Sequence, residues 1–386
     1  MDIKNLLEHN VETVIDREGL EGKLKAGKKL RIKHGVDVTS PLLHLGHAVN
    51  YWKLREFQEL GHKVIFLIGD FTTQIGDPTG KNKTRPEVSV KQIEKDAKEY
   101  LRQATKILIN KPNLLEVRRN SEWYGKMKLQ DFLGLAKKIT HAQLIERDMF
   151  QKRIKEREKI HIHELLYPLL QGYDSVMVKS DMTIIGSDQL FNEMMGRQFQ
   201  EIFGQAPQSI ITTCITSGLD GKEKMSKSLG NFVAIIDSPR QKFGKIMSLP
   251  DNLVSSYLSV YTKLSSKEID EIKSMSAMNS KIKLAFEIVK IYDGEEQADE
   301  AEKFFNETFR ERKLPDNIPI VKFKDARLAD ILLNAKLVNS MSEYRRLVNS
   351  GAIEANGEVI RDPNYKPERD ATIKVGKKKF LKISDK

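Results

Sequence analysis

His34-Gly-Val-Asp-Val-Thr-Ser-Pro-Leu-Leu-His-Leu-Gly-His47 is the stretch whose reading decides the fold. Arg31 and Ile32 lead into it, and Gly35 and Pro41 interrupt the regular backbone. Ala48, Tyr51, Leu54, Phe57 and Leu60 then recur at helical spacing as far as Gly61. The pattern reads as strand, turn and helix, with Gly61 as a left-handed stop. His44, Gly46 and His47 therefore fall at a helix N-terminus. Free backbone N–H groups and the positive end of the helix dipole meet there, which suits a polyphosphate, and Gly46 lets a flat base come close to the backbone.

A second stretch, Gly221-Lys-Glu-Lys-Met-Ser-Lys-Ser-Leu-Gly230, presents the ammonium groups of Lys224 and Lys227 in a loop between glycines. By itself such a run reads as a solvated turn. His-Leu-Gly-His followed about 180 residues later by Lys-Met-Ser-Lys-Ser resembles the paired signatures of class I aminoacyl-tRNA synthetases. Gly69-Asp-Phe-Thr-Thr-Gln-Ile-Gly-Asp-Pro-Thr-Gly80, Tyr167-Pro-Leu-Leu-Gln-Gly-Tyr-Asp174 and Gly186-Ser-Asp-Gln189 match, in order, the pocket motifs of the tyrosyl-tRNA synthetase family. That resemblance extends over nearly the whole chain.

The resemblance implies an α/β chain in three parts. A Rossmann-like catalytic domain would span 1–228, with a helical insertion at about 114–165. An α-helical anticodon-side domain over 229–313 and a small α+β S4-type RNA-binding domain over 320–386 would follow, joined by a linker at Leu314–Pro319. The implied reaction activates L-tyrosine with ATP to tyrosyl-adenylate and pyrophosphate, then transfers the tyrosyl group to the 3′ end of tRNA(Tyr). Mg2+ would accompany ATP; no carboxylate cluster reads as a dedicated protein cage, so no metal ligands are assigned. A homodimer is also implied.

Site roles follow by resemblance. Thr39 and His44 would bind the leaving phosphates, and His47 would support the nucleotide ring region. Lys81, Arg85, Lys224 and Lys227 would neutralise pyrophosphate as it departs. Asp37, Asp77, Tyr167, Gln171 and Gln189 would hold the α-amino and carboxylate end of the amino acid, while Asp174 would accept the phenol hydrogen. Gly35, Gly46, His47, Gly186, Asp188 and Lys227 would line the ATP subsite. The spacing of Tyr167, Gln171 and Asp174 independently places three polar tips on one face of an apolar helix. There they either satisfy one another or face a ligand.

Four positions depart from the family pattern. Lys33 stands where many members carry tyrosine, although a bacterial subgroup resembles this chain there, His34 replaces a smaller or apolar residue, Val38 replaces proline, and Ile185 replaces a glycine near the substrate. A changed amino-acid pocket is therefore one alternative reading. A non-catalytic RNA-binding paralogue, the sister tryptophan enzyme and a small nucleotidyltransferase are others.

The rest of the chain sets bounds. At 386 residues and 31% charged it is long enough for two or three domains. The N-terminal residues lack a signal-peptide core and no apolar run spans a bilayer, so the expected location is cytoplasmic, without a membrane partner. A single cysteine, Cys214, offers neither a disulfide nor a zinc cluster. Net charge is +11, with basic residues gathered around 151–159 and in the last sixty positions, which favours RNA. Residues 1–30 read as a helix-rich lead-in. In the tail, Arg345 and Arg346 lie on a short basic helix suited to RNA backbone contact, and Asn356-Gly357 suits a hairpin turn. Phe132, Leu135, Ile139, Leu144, Met149 and Phe150 fit either a subunit interface or a local core.

Overall fold

The computed structural model describes residues 3–77, 89–227, 229–310, 319–322, 326–356, 358–368, 371–376 and 379–384. They form two compact units, Met1–Glu302 and Lys303–Lys386.

The first unit is built on a six-stranded sheet in the order β1-β6-β5-β2-β3-β4. Its strands are β1 (Val11–Ile15), β2 (Arg31–Val36), β3 (Lys63–Ile68), β4 (Leu115–Arg119), β5 (Met182–Gly186) and β6 (Ser209–Thr213). All neighbouring pairs are parallel except β1 with β6. β3 shows why: it is a nearly continuous apolar run buried along its length, as a parallel strand covered on both faces must be. Val64, Phe66 and Ile68 enter one core with Ile32, Leu54 and Phe57. Ile65 and Leu67 point the other way, toward Trp123, Tyr124 and Leu170.

Helices connect the strands. α1 (Ile3–Leu6) and α2 (Arg17–Lys25) flank β1; α3 (Leu45–Glu59) joins β2 to β3; α4 (Thr72–Ile75) and α5 (Val90–Ala104) lead on to β4. α6 (Ser121–Tyr124), α7 (Leu129–Ala136), α8 (His141–Ile145), α9 (Asp148–Lys155) and the long α10 (Ile162–Val178) precede β5, and α11 (Leu190–Ile202) precedes β6. Then come α12 (Pro239–Met247), α13 (Val254–Tyr261), α14 (Ser266–Lys273), α15 (Ala277–Asp293) and α16 (Glu295–Phe305), the helix-dominated stretch expected after the catalytic part.

Two expectations are corrected. The lead-in is not simply helical: Val11–Ile15 adds an antiparallel edge strand to the sheet. Val11, Val14 and Ile15 suit a helix face by spacing, but pairing to β6 satisfies their backbone instead. The stretch read as an insertion also begins inside the sheet, because Leu115–Arg119 pairs in parallel with β3. Within the remainder, Ile139 and Leu144 pack into a local core with Leu169, Met195 and Phe199.

In the second unit, β7 (Ile320–Lys322), β8 (Ile353–Ala355), β9 (Glu358–Val359), β10 (Thr372–Val375) and β11 (Lys379–Ser384) make one sheet in the order β7-β11-β10-β8-β9. α17 (Leu328–Asn334) and α18 (Met341–Asn349) cover it through Leu328, Ile331, Leu332, Tyr344 and Val348. Asn356, at φ +51°, directly follows β8, which pairs antiparallel with β9. The linker expected at Leu314–Pro319 lies almost wholly outside the described residues.

Candidate active site

β2 is the first of the parallel strands; the chain next adds β3 and β4 on one side of it, then β5 and β6 on the other. The strand order thus reverses between β2 and β5, and ligands bind α/β sheets outside the carboxyl ends of the strands at such a switch point. A cleft of about 740 Å3 opens there. It is lined by Gly35, Asp37, Thr39, His44, Gly46 and His47 from the first motif and by Lys224 and Lys227 from the second. Asp77, Tyr167, Gln171, Asp174, Gly186, Asp188 and Gln189 line it too. Lys81 and Arg85 lie outside the described residues.

The first motif is held from behind. Gln103, fully buried on α5, accepts from the Leu43 amide at 2.9 Å and donates to the Pro41 carbonyl at 2.8 Å. That fixes the turn before His44, the N-cap of α3. The His44 amide donates to His47 Nδ1 at 3.3 Å, and the two rings lie 3.7 Å apart. Among the described residues, His44 Nδ1 has no hydrogen-bond partner. Burial, aided by nearby Lys227, pulls the His44 pKa down to about 3. His47 is also held well below its ordinary value, first by desolvation and then by His44 and Lys227. Both imidazoles are neutral at physiological pH, able to donate or accept but adding no charge.

The second motif reaches the first through backbone pairing. Leu45 N donates to Val233 O at 3.0 Å and Ile235 N to Leu43 O at 2.9 Å. Asn231 shapes the loop, accepting from the Ser226 amide at 2.8 Å and donating to Asp220 at 2.9 Å. Lys227 Nζ then lies 3.2 Å from the Ser40 carbonyl and 5.7 Å from the Tyr100 ring centroid, and burial pulls its pKa down to about 8. Lys224, more exposed, pairs with Asp188 at 3.0 Å.

On the sheet side, the polar tips of α10 do not satisfy one another; each bonds to a different element. Tyr167 donates to Asp37 Oδ2 at 2.9 Å, and Thr72 donates to Asp37 Oδ1 at 2.7 Å. Gln171 donates to Glu193 at 2.9 Å. Gln189 donates to Asp77 at 2.8 Å. Asp174, buried, accepts from Trp123 Nε1 at 3.0 Å and Asn120 Nδ2 at 3.3 Å. Burial pushes its pKa up to about 7 against the opposing pull of Lys33 and these donors. The result is a buried carboxyl group on the cleft lining that titrates near neutral pH.

Sequence reading missed Asn120, Trp123, Thr72 and Glu193. Asn120 and Trp123 follow directly after β4, so recognising that stretch as a strand would have put them at the carboxyl edge of the sheet, where sites lie. Asp70 accepts from the Ser121 amide at 3.0 Å and its hydroxyl at 2.7 Å, fixing α6 and hence Trp123. The departures are also placed. The Val38 amide donates to Thr73 Oγ1 at 2.9 Å, a bond a proline would lack. His34 is buried against Tyr51, with Nδ1 2.9 Å from the Ile184 carbonyl. Ile185 lines the cleft.

A nucleotide cleft at a parallel-sheet switch point, flanked by a histidine helix start and a two-lysine loop, defines a class I aminoacyl-tRNA synthetase. Residues 25–310 match the family described as tRNA synthetases class I (W and Y), and residues 326–373 match the S4 domain. The chain is 43% identical to the Tyrosine--tRNA ligase of Thermotoga maritima, covering 98% of this chain and 96% of that one. It is 45% identical to the Tyrosine--tRNA ligase of Carboxydothermus hydrogenoformans, with coverage of 98% and 96%. Among solved structures, the fold is shared with the tyrosyl-tRNA synthetase of Archaeoglobus fulgidus complexed with L-tyrosine, at TM-score 0.62 and 21% identity over 78% of this chain and 100% of that one. A tryptophanyl-tRNA synthetase from Encephalitozoon cuniculi shares it at TM-score 0.60 and 14% identity, over 76% and 85%. The chain belongs to the tyrosyl-tRNA synthetase branch of the class I tRNA synthetases.

Proposed function

We propose that this cleft joins L-tyrosine to ATP and that the chain then passes the tyrosyl group to the 3′ end of tRNA(Tyr), the reaction of a tyrosine--tRNA ligase. The observation that carries this reading is the convergence of His44, Lys227 and Asp174, far apart in sequence, on one cleft. In the first step a carboxylate oxygen of tyrosine bonds to the α-phosphorus of ATP and the bond to pyrophosphate breaks. In the second, a terminal ribose hydroxyl of tRNA attacks the activated carbonyl and AMP leaves. No enzyme nucleophile is needed. The rate comes from positioning and from charge neutralised as it moves onto pyrophosphate.

Asp174 accepts the phenol hydrogen of tyrosine. Asp77, Tyr167 and Gln171, with Asp37 behind Tyr167, hold the α-ammonium group, and Gln189 lies beside the reacting carboxylate. Thr39 and His44 take the phosphates, Gly46 and His47 accommodate the nucleotide, and Gly35, Gly186 and Asp188 complete its binding surface. Lys224 and Lys227, joined by Lys81 and Arg85, carry the pyrophosphate charge. Mg2+ enters as part of the ATP substrate; among the described residues no group of three or more His, Cys, Asp or Glu is placed to hold a metal. Arg345 and Arg346, exposed on α18, contact the RNA backbone. The working form is a homodimer in the cytoplasm, and exposed Leu129, Leu133 and Ile162 offer apolar surface for a partner copy.

The test is tyrosine-dependent exchange of labelled pyrophosphate into ATP, with phenylalanine and tryptophan as controls. Exchange with tyrosine alone, followed by charging of tRNA(Tyr), is the expected outcome. Exchange with tryptophan, or with no amino acid, would refute the reading.

A further inference from the structure

Next to the cleft-lining Gln171 a charged pair is buried. Lys33 on β2 and Glu193 on α11 are each 1% exposed, with Lys33 Nζ 2.9 Å from Glu193 Oε2. Lys33 also donates to Ser175 Oγ at 2.7 Å, one residue beyond Asp174 on α10. Glu193 is shared: Oε1 accepts from Gln171 at 2.9 Å, and Oε2 accepts from Gln208 at 2.8 Å. From Gln171 the network continues. Asn192 donates to Gln171 Oε1 at 2.8 Å and to Gln189 Oε1 at 3.0 Å, and Gln189 donates to Asp77. One connected set of bonds thus runs from the Lys33 ammonium, held by Ser175 and Glu193, to the Asp77 carboxylate on the cleft lining.

Removing two charges from water is costly, and hydrophobic residues of equal volume would stabilise such a position as well or better. The pair therefore calls for a use. We propose that Lys33 and Glu193 are the specificity-determining pair of the amino-acid pocket: Lys33 keeps the Asp174 carboxylate in its proton-accepting form, and Glu193 fixes the Gln171 amide. This rests on the reading that Asp174 accepts the substrate phenol.

The surroundings of Asp174 support the assignment. It faces Lys33 from β2, Tyr124 from α6 and Tyr167 on its own helix, with Glu193 one step behind Lys33; Asn120 and Trp123 add neutral donors. The Tyr124 and Tyr167 phenols are held well above their ordinary values, chiefly by burial, and stay neutral. His34, also close to the pair, is held below its ordinary value by burial and is neutral as well. Lys33 is the largest influence opposing the burial of Asp174. Without it the carboxyl would more often carry its own proton, and its hydrogen bond with the substrate hydroxyl would lose the strength that an ionised acceptor gives, narrowing the advantage over a bare ring.

The experiment measures kcat and KM for tyrosine and phenylalanine in pyrophosphate exchange across pH 6–9, for wild type, Lys33→Met, Glu193→Gln, Asp174→Asn and the double variant Lys33→Met/Glu193→Leu. In wild type kcat/KM for tyrosine rises through the Asp174 titration. Lys33→Met is expected to move that limb up by about one pH unit, to raise KM with kcat little changed, and to lower the tyrosine-to-phenylalanine ratio about tenfold. Glu193→Gln, which leaves Lys33 unopposed, is expected to move the limb the other way. The double variant removes both buried charges at once, which avoids the unpaired carboxylate left by Lys33→Met, and its limb stays displaced upward. Limbs that coincide in all Lys33 and Glu193 variants, while Asp174→Asn loses tyrosine selectivity, would overturn the pair alone. An Asp174→Asn enzyme that still selects tyrosine would overturn both the pair and the phenol reading beneath it.

Discussion

The indole nitrogen of Trp123 donates to Asp174 Oδ1 at 3.0 Å, and both side chains are buried. A carboxylate in such a place keeps its charge at the expense of folding. Its pKa stands at about 7 in the native state against 3.8 for an ordinary aspartate, so the folded chain binds more protons than the unfolded one between those values. Stability attributable to Asp174 therefore falls as pH rises from about 4 to about 7 and then levels off. Asp174→Asn should gain thermal stability over wild type progressively across that window. Melting temperatures of both proteins at pH 4.5, 6 and 8, on the order of several degrees apart at the top of the range, check it; a constant offset would contradict the assignment.

Lys227 has its pKa moved the other way, downward, by burial. Its pKa of about 8 means that the ammonium is present below pH 8 and lost above it. The kcat/KM for ATP, which reports the free enzyme, should decline as pH rises through about 8. Lys227→Arg carries a charge that does not titrate in this range, so the declining limb should vanish whatever the absolute rate.

Gly69 makes room for Asp37. A Cβ at that position would lie 2.4 Å from Asp37 Oδ1 and 2.4 Å from Thr72 Oγ1. Gly69→Ala must push apart the Thr72–Asp37 bond and with it the Tyr167 contact. We expect a KM for tyrosine raised about tenfold or more, with a stability loss of about 1–3 kcal/mol by urea unfolding. Unchanged tyrosine affinity would mean that Asp37 plays no part in holding the amino acid.

Arg345 and Arg346 should separate RNA binding from activation. Replacing both with alanine should leave pyrophosphate exchange intact while weakening tRNA binding and flattening its dependence on salt by about one to two units of slope. Equal salt slopes for the two proteins would remove α18 from the RNA surface.

Much of this protein is set by local sequence. The helix start at His44–His47, the apolar run Val64–Ile68 and the helix Ile162–Val178 are marked by short-range periodicity and capping, because intrahelical hydrogen bonding and burial of one face are decided within a few residues. Candidate ligand groups could be named for the same reason: glycines, histidines and lysines at helix starts and loops carry their chemistry with them. Pairing across the sheet could not be read this way. Val11–Ile15 and Leu115–Arg119 are short, and only neighbouring strands distant in sequence make them strands.

The environment of each group was likewise decided in three dimensions. Asp174 titrates near neutrality because burial raises its pKa while Asn120 and Trp123, from the segment after β4, and Lys33 of β2 pull it back, and Lys33 is tolerable only because Glu193 meets it from α11. Sequence by itself determined which residues this enzyme carries and which helices and turns present them. Tertiary structure decided their charge states and partners, because desolvation and ion pairing depend on distances that no local pattern encodes.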